Sequence, residues 1–321
     1  MRKVSILILF LIILFLSIGI YLDIKNKKVN NITEEISEES TTIQATTTQF
    51  TSTPIIIPEI IPTLEISPKI IYQGDPVFIK INASSSPVKL LFNNKVIPIV
   101  KYNDQDIAFL GIDFREEKEK HLLRLELSNG EIITDELIVT MEKKEERPVG
   151  IPEKLGGNTP EAGKALIDNI VKENASINST RTELKSLWEK PFVSPLKTLF
   201  ITDPYGYNRN TTGYTLAHKG TDFRAPEGTE IMSMNDGIVR LSRKYTLSGN
   251  TILIDHGLGI STIYMHLSKL MIKEGDTVKA GQLIGLSGQT GYVNGAHLHL
   301  AVKLHGVSID PEKFMKFFNI L

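Results

Sequence analysis

Histidine and aspartate recur at short spacings in the C-terminal third of this sequence. His218 and Asp222 are four positions apart in the stretch His-Lys-Gly-Thr-Asp. His297 and His299 are two positions apart in the stretch Gly-Ala-His-Leu-His-Leu. Residues separated by an even number of positions on a β-strand project from the same face of the sheet. Each pair can therefore place two metal-binding side chains next to each other.

A set of two histidines and one aspartate suits a catalytic zinc ion. If His218, Asp222 and His299 bind one ion, zinc has three protein ligands and its fourth position stays open for water. Such a site keeps a net positive charge, which lowers the pKa of a water molecule toward ~7 and polarises a carbonyl group. His297 shares the strand face of His299 and is an alternative fourth ligand, which would close the site.

A further histidine, His266, lies in the strand-like stretch Ile-Tyr-Met-His-Leu. Such a residue on its own is usually a structural core histidine. However, six of the seven histidines of the chain lie after Pro195, so His266 is a candidate member of the same site. We interpret His256 as a residue that shapes the end of a strand, not as a ligand.

The composition excludes several other chemistries. The sequence contains no cysteine, which excludes disulfides, thiolate metal sites and cysteine nucleophiles. The 36 Lys and Arg residues are matched by 37 Asp and Glu residues. The chain therefore lacks the positive excess with which nucleic-acid-binding proteins neutralise phosphates, and we expect no nucleic-acid partner. A metal site here must use His, Asp or Glu.

The elements that position these residues are predicted to be β-strands. From Pro195 to the end, short β-type runs alternate with glycines, as at 237–239, 250–254 and 281–285. Strands separated by turn residues are typical of a domain built on β-sheets. We therefore predict one domain over 195–321 that carries all the candidate site residues.

The histidine-bearing motifs and their neighbours resemble the lysostaphin-type, or LytM-like, zinc endopeptidases. The resemblance covers about residues 200 to 315, with the histidine-bearing blocks in the order of that family. It also includes the motifs at 225–229, 236–239, 249–251, 274–285 and 287–291. The chain departs from the family at Ala301, where many members have an acidic residue.

The resemblance implies an antiparallel β-sheet metallopeptidase domain in which His218, Asp222 and His299 hold Zn²⁺. It implies that His266 and His297 are the catalytic pair, which polarises or deprotonates water and stabilises the tetrahedral oxyanion. The substrates of the family are glycyl bridges or D-amino-acid cross-links of bacterial peptidoglycan. The expected function is a zinc-dependent endopeptidase that cuts these peptide cross-links.

Two alternative functions fit parts of the sequence. One is a catalytically inactive module that binds peptidoglycan or activates another wall hydrolase, but all five site positions are intact. The other follows from the pattern Gly-Asp-x-Val-x-x-Gly-Gln at 275–282, which resembles biotinyl and lipoyl carrier domains. No lysine stands in the Met-Lys-Met or Asp-Lys-Ala context that a carrier needs, so we disfavour this function. No motif identifies a protein activator.

The N-terminal part of the chain is predicted to tether the domain to a membrane. Residues 4–22 form an almost wholly apolar run, long enough to span a bilayer as a helix. A cleaved signal peptide is the alternative, although its apolar region is usually shorter and ends in small residues. Residues 31–62 are rich in Thr, Ser, Glu and Pro and predict a flexible stalk. We expect a single-pass cell-membrane protein whose catalytic domain faces the periplasm or the cell exterior.

Residues 64–143 are predicted to form a small immunoglobulin-like β-sandwich. Six short β-type runs are separated there by turn signals, including Asn93-Asn94 and Asn129-Gly130. This segment contains only His121 and no cluster of metal ligands. We interpret it as a spacer or a binding module.

A helical connector is predicted over 158–189. Thr159 and Pro160 mark the start of the helix, because a capping side chain followed by Pro is typical of a first turn. The stretch Leu184–Trp188 either ends this helix or begins a second one. We interpret Trp188, the only tryptophan, as a packing anchor. The whole chain is therefore expected to be mainly β.

Overall fold

The computed structural model describes residues 61–141, 146–148, 151, 157–211 and 214–318. These residues belong to one unit, Pro58–Leu321, and form a mainly β structure. The predicted anchor and all but the last two positions of the predicted stalk lie outside the described residues. Within the described ranges, no helix is long and apolar enough to cross a membrane.

The first nine strands form a sandwich of two sheets. They are β1 (Thr63–Ser67), β2 (Ile71–Tyr72), β3 (Pro76–Asn82), β4 (Pro87–Phe92), β5 (Lys95–Ile97), β6 (Val100–Tyr102), β7 (Gln105–Gly111), β8 (Lys120–Leu127) and β9 (Ile132–Thr140). One sheet has the order β1-β3-β7-β6 and the other β2-β9-β8-β4-β5. Aliphatic side chains such as Ile79 and Leu123 fill the space between the sheets. Asn93 and Asn94 adopt φ angles of 48° and 62° in the turn between β4 and β5, as the Asn-Asn signal predicts.

The remaining strands belong to the C-terminal part of the chain. They are β10 (Glu146–Pro148), β11 (Ile201–Asp203), β12 (Asn208–Thr211), β13 (Tyr214–Ala217), β14 (Thr221–Arg224), β15 (Glu230–Met232), β16 (Gly237–Lys244), β17 (Asn250–Gly257), β18 (Ile260–Leu267), β19 (Lys269–Leu270), β20 (Thr277–Val278), β21 (Leu283–Leu286), β22 (His297–Leu304) and β23 (Val307–Ile309). The main sheet has the order β11-β14-β22-β18-β17-β16-β20, with β23 also paired to β22. All its pairs are antiparallel. Two smaller sheets, β10-β12-β13 and β15-β21-β19, accompany it.

The two faces of β22 have different characters, and this difference positions the site. Leu298, Leu300 and Val302 are buried in the main hydrophobic core on one face. The intervening residues, which include His297 and His299, project from the other face because side chains alternate along a strand. The alternation of apolar and chemically active residues in the sequence therefore corresponds to the two faces of the sheet.

Two helices accompany the sheets, α1 (Pro160–Asn178) and α2 (Pro311–Phe317). Helix α1 begins as predicted, since the Thr159 hydroxyl accepts a hydrogen bond from the Ala162 N–H at 3.2 Å. It ends at Asn178, and residues 179–200 form no helix, in contrast to the predicted helical connector. The Leu187 N–H instead donates to the backbone oxygen of His256 at 3.1 Å. Contacts with the main sheet thus replace the hydrogen bonds that a longer helix would make.

Trp188 packs as an anchor between the two β regions, as interpreted from the sequence. Its ring lies 5.4 Å from that of Tyr102 in the sandwich, 5.3 Å from Phe192 and 6.0 Å from Phe318. It belongs to a continuous apolar core that includes Phe109 of the sandwich. One sheet of the sandwich thus contributes residues to the core of the C-terminal sheet, in addition to the separate core between the two sandwich sheets.

Helix α1 lies on the same face of the main sheet as the candidate site. Ile177 packs against Leu253, Ile263 and Ala301, which come from three adjacent strands. Ala301 is two positions beyond His299 and so projects from the same face of β22. The contact explains the departure from the resembled family at this position, because an acidic side chain here would be buried against apolar ones.

Glu173 links α1 by hydrogen bonds to the loop between β16 and β17. Its carboxylate is buried and accepts hydrogen bonds from the Leu247 N–H at 2.7 Å, the Ser248 N–H at 3.0 Å and the Ser248 hydroxyl at 2.7 Å. Removing it leaves three partly buried donors without this acceptor. We expect Glu173→Ala to lower the free energy of unfolding by about 2 kcal/mol, measured by urea denaturation.

The matched control for this change is Asp168→Ala on the exposed side of α1. Asp168 forms an ion pair with Lys164 at 2.7 Å, and both side chains are exposed. Such a pair contributes at most about 0.5 kcal/mol. Equal losses of stability in the two variants would contradict the role assigned to Glu173.

Candidate metal centre

Three side chains bring lone-pair atoms together at one point on the face of the main sheet that also carries α1. His218 Nε2 lies 3.1 Å from Asp222 Oδ1 and 3.1 Å from His299 Nδ1. His299 Nδ1 lies 2.7 Å from Asp222 Oδ1. Two imidazole nitrogens and one carboxylate oxygen form a donor set that zinc prefers. The arrangement is therefore consistent with a metal site.

The sheet register brings two of these residues together. Asp222 on β14 is the direct cross-strand partner of His299 on β22. Directly paired residues of antiparallel strands place their Cβ atoms about 4.5–5.5 Å apart on one face. This pairing, and not the spacing from His218, places Asp222 on the same face of the sheet as His299.

His218 lies just outside a strand and is held by backbone contacts. The backbone N–H of His218 donates to the backbone oxygen of Tyr207 at 3.0 Å. The backbone oxygen of His218 accepts from the Gly206 N–H at 2.7 Å. The His218 Nδ1–H donates to the Pro204 oxygen at 2.9 Å. Because a carbonyl oxygen only accepts, this bond fixes the tautomer and leaves the Nε2 lone pair facing Asp222 and His299.

Asp222 is ionised in this environment. Burial is the largest single influence on it and raises its pKa, but contacts with His299 and His218 together outweigh burial. The pKa of the Asp222 carboxyl is held well below its ordinary value. The site therefore presents a buried carboxylate between two imidazoles, which suits a cation.

His266 and His297 lie beside this group of three. The His266 ring centroid is 5.0 Å from that of His297 and 5.8 Å from that of His299. His266 adopts a φ angle of 64°, a left-handed conformation that is uncommon outside glycine and often marks functional sites. The structure thus brings all five sequence-predicted residues into one cluster.

The two flanking histidines have the same hydrogen-bond arrangement. The His266 Nδ1–H donates to the Thr290 oxygen at 2.9 Å, and the His297 Nδ1–H donates to the Gly295 oxygen at 2.9 Å. In the neutral form, each ring therefore carries its lone pair at Nε2. Burial, then the neighbouring His299 and His297, lower the pKa of His266 to about 3. His266 is accordingly neutral at neutral pH.

The alternative in which His297 is a fourth ligand is less well supported by the distances. His297 Nε2 lies 3.7 Å from Asp222 Oδ1, farther than the corresponding atoms of His218 and His299. The His297 side chain is also more exposed than those two residues. Its assignment as a catalytic residue or as a ligand remains a prediction.

His256 lies in a separate, fully buried network. Its Nδ1 contacts the Asp236 oxygen and its Nε2 contacts the Thr262 hydroxyl, both at 2.8 Å. Burial lowers its pKa to about 4. These contacts agree with the interpretation that His256 shapes a strand end.

Gly220 allows His299 to approach the loop that carries His218. A Cβ atom on Gly220 would overlap the His299 ring and lie 2.6 Å from the Leu300 backbone oxygen. We expect Gly220→Ala to displace His299 and weaken zinc binding about 10- to 100-fold, in the range found when residues that orient metal ligands are altered. Competition with a chelating dye measures this affinity.

Gly130→Ala is the matched control, because no atom lies within 4 Å of the added Cβ at that position of the sandwich. Gly130 has a φ angle of 87°, so alanine there strains only a remote turn. Zinc affinity should be unchanged in this variant. A Gly220→Ala protein with wild-type zinc affinity would show that the close approach is unimportant.

Comparison with known proteins agrees with this geometry. Residues 216–311 match the model of Peptidase family M23. The chain carries a peptidase family M23 domain. The matched segment begins in β13, before His218, and ends in α2, after His299. It therefore contains all five candidate residues.

Named relatives of the M23 domain act on peptidoglycan. The peptidoglycan DD-endopeptidase ShyA of Vibrio cholerae is 44% identical over 96 residues, which cover 30% of this chain and 22% of ShyA. The peptidoglycan DD-endopeptidase ShyB of the same organism is 41% identical over 102 residues, which cover 32% of this chain and 24% of ShyB. The chain thus matches less than a quarter of the length of either relative.

A solved structure extends the similarity beyond the M23 domain. The crystal structure of a Pseudomonas aeruginosa protein assigned to peptidase M23 aligns with a TM-score of 0.55 and 23% identity. The alignment covers 76% of this chain and 94% of that chain. At this identity the similarity shows a shared fold. The mainly β fold with an M23-like domain, expected from the sequence, is therefore confirmed.

Proposed function

We propose that the M23 domain is a zinc-dependent endopeptidase that hydrolyses peptide cross-links in bacterial peptidoglycan. The observation that carries this proposal is the convergence of His218 Nε2, Asp222 Oδ1 and His299 Nδ1 within 3.1 Å of one another. The names of ShyA and ShyB support the substrate. They favour the D-amino-acid cross-link over a glycyl bridge as the bond that is cut.

His218, Asp222 and His299 would hold the zinc ion. When bound, zinc supplies a Lewis acid that polarises the scissile carbonyl and lowers the pKa of water toward ~7. The tautomer of His218, fixed by the Pro204 oxygen, directs its Nε2 lone pair into the site. Asp222 contributes the negative charge that offsets part of the charge of the ion.

His266 and His297 would move protons and stabilise charge. In the neutral form of each ring, the Nδ1–H is bonded to a backbone oxygen and the lone pair is at Nε2. Nε2 of one histidine accepts a proton from the attacking water, and the resulting N–H donates to the oxyanion or to the leaving amine. The two rings lie close enough, at 5.0 Å, to act on one scissile bond together.

We further propose that the remaining segments place this domain near the cell wall. Residues 4–22 would anchor the chain in the cell membrane, and residues 31–62 would act as the stalk. The two-sheet sandwich would be an immunoglobulin-like spacer, with the domain facing the periplasm or the exterior. Protease treatment of intact cells or spheroplasts tests this topology, because an internal domain would be protected.

The proposed function is tested with purified full-length protein and dye-labelled sacculi. We expect dye release by the zinc-loaded protein, loss of release after chelation, and recovery on adding zinc. Protein that binds sacculi and zinc but releases no dye would support the inactive module. Release that is unaffected by chelation would contradict a zinc-dependent reaction.

A further inference from the structure

A cavity of about 560 Å³ adjoins the candidate metal centre. His218, His266 and His299 line one end of it. Helix α1 and the sandwich residue Arg115 line other parts of its wall. Its volume is in the range of sites that bind small molecules or peptide segments, about 300–1,000 Å³. A substrate bound at the metal centre would extend into this space.

The charges that line the cavity are all positive. Arg115, Lys219 and Lys303 are among the lining residues, and these include no Asp or Glu in the part of the chain that the structure describes. The chain as a whole has 37 acidic and 36 basic residues. The positive lining is therefore a local feature, and a cavity of this kind attracts anions.

Lys303 is the most buried of these cations, with 8% of its surface exposed. It lies four positions beyond His299 on β22, so the two side chains project from the same face. Four residues of a strand span about 13 Å. Lys303 thus lies on the face of the sheet that carries the metal centre, at the part of that face covered by α1.

Lys303 lacks a counter-charge among the described residues. Its Nζ donates to the neutral Asn178 side-chain oxygen on α1, and it has no ion pair. Burial, and then the positive charge of Lys219, lower the pKa of Lys303 to about 8. A buried ammonium without an opposite charge is costly to maintain. An incoming anion would relieve this cost.

We propose that Lys303, assisted by Lys219, binds a free carboxylate of the substrate peptide. This subsite rests on the proposed function, because it assigns a group of the proposed substrate to the cavity beside the metal centre. The backbones of His299 and Lys303 are about 13 Å apart along β22, so the carboxylate lies several residues away from the scissile bond. The enzyme would therefore select peptides with a free carboxylate over otherwise identical peptides in which that group is amidated.

The test compares two cross-linked muropeptide dimers that differ only in this way, one with free stem-peptide carboxylates and one with carboxamides. Wild-type protein should show a kcat/KM for the carboxylate dimer about 10- to 100-fold higher, as expected for a charge-assisted hydrogen bond. Lys303→Gln should lower kcat/KM for the carboxylate dimer by that factor and leave the amidated dimer within about two-fold. Lys273→Gln, an exposed lysine of the same domain, is the control that should keep the preference.

Two results would overturn the subsite. Equal cleavage of both dimers by wild-type protein contradicts it without reliance on any variant. An equal loss on both dimers in Lys303→Gln would assign Lys303 a merely structural role.

A binding measurement separates the subsite from the proposed function. If wild-type protein cuts neither dimer, the proposed function fails, and titration calorimetry with the same dimers still decides the subsite. Tighter binding of the carboxylate dimer, lost in Lys303→Gln, supports it. Equal binding of both dimers overturns the subsite. If inorganic phosphate still binds through Lys303 in that case, Lys303 is an anion site that does not recognise the substrate carboxylate.

Discussion

Asp222→Ala is expected to abolish zinc binding and peptidoglycan hydrolysis together. Asp222 is the only carboxylate in the group of three and contacts both other members, at 3.1 Å and 2.7 Å. Without it, two imidazoles remain and the negative charge is lost. Zinc affinity should fall by more than about 100-fold, because altering only residues that orient ligands already costs about 10–100-fold. Metal analysis after dialysis and dye release from labelled sacculi measure the two effects.

Asp222→Asn and Asp135→Ala are informative companions to this variant. Asp222→Asn keeps the shape of the side chain and removes its charge, so it should also lose zinc and activity. Asp135 is exposed on β9 of the sandwich, so Asp135→Ala should change neither zinc binding nor hydrolysis. Retained activity in Asp222→Ala would overturn the ligand assignment.

His297→Ala is expected to keep zinc and lose turnover. The three converging atoms come from His218, Asp222 and His299, and His297 Nε2 lies farther away, at 3.7 Å from Asp222 Oδ1. Losing a general base or an oxyanion donor lowers kcat by about 10²–10⁴-fold. Zinc content and kcat on the same preparation therefore separate a catalytic role from a ligand role.

The result for His297→Ala also decides the alternative that the sequence leaves open. A variant that loses zinc would make His297 a fourth ligand and the site a closed one. His266→Ala should behave like the catalytic variant, with zinc retained and kcat reduced. His305→Ala replaces a histidine that lies outside the site and should leave both quantities unchanged.

The face of the sheet that carries the site could be predicted from the sequence. Leucines alternate with His297 and His299 along β22, and this period of two separates the core face from the exposed face. The even spacing of His218 and Asp222 suggested that both lie on one strand, but His218 lies in the turn before β14, and the two side chains converge through that turn. The cross-strand pairing of Asp222 with His299 is a contact between residues 77 positions apart, which spacing alone does not specify.

The docking of α1 on the sheet could not be predicted in the same way. The start of the helix is encoded locally by Thr159 and Pro160, but Glu173 acts on a loop 74 positions away. The stretch from Leu184 to Trp188 was predicted to be helical, because its backbone contacts with the sheet depend on the tertiary structure. Lys303 gave no signal either, since its lack of a counter-charge depends on how the cavity is assembled.

Mass analysis of muropeptides released from purified sacculi tests the central proposal most directly. The zinc-loaded full-length protein is predicted to convert cross-linked dimers into monomers by adding one water per cross-link, with the glycan strands intact. Asp222→Ala, treated in parallel, should leave the dimers unchanged. Dimers that persist with the wild-type protein, or cuts confined to the glycan, would contradict a peptidoglycan endopeptidase.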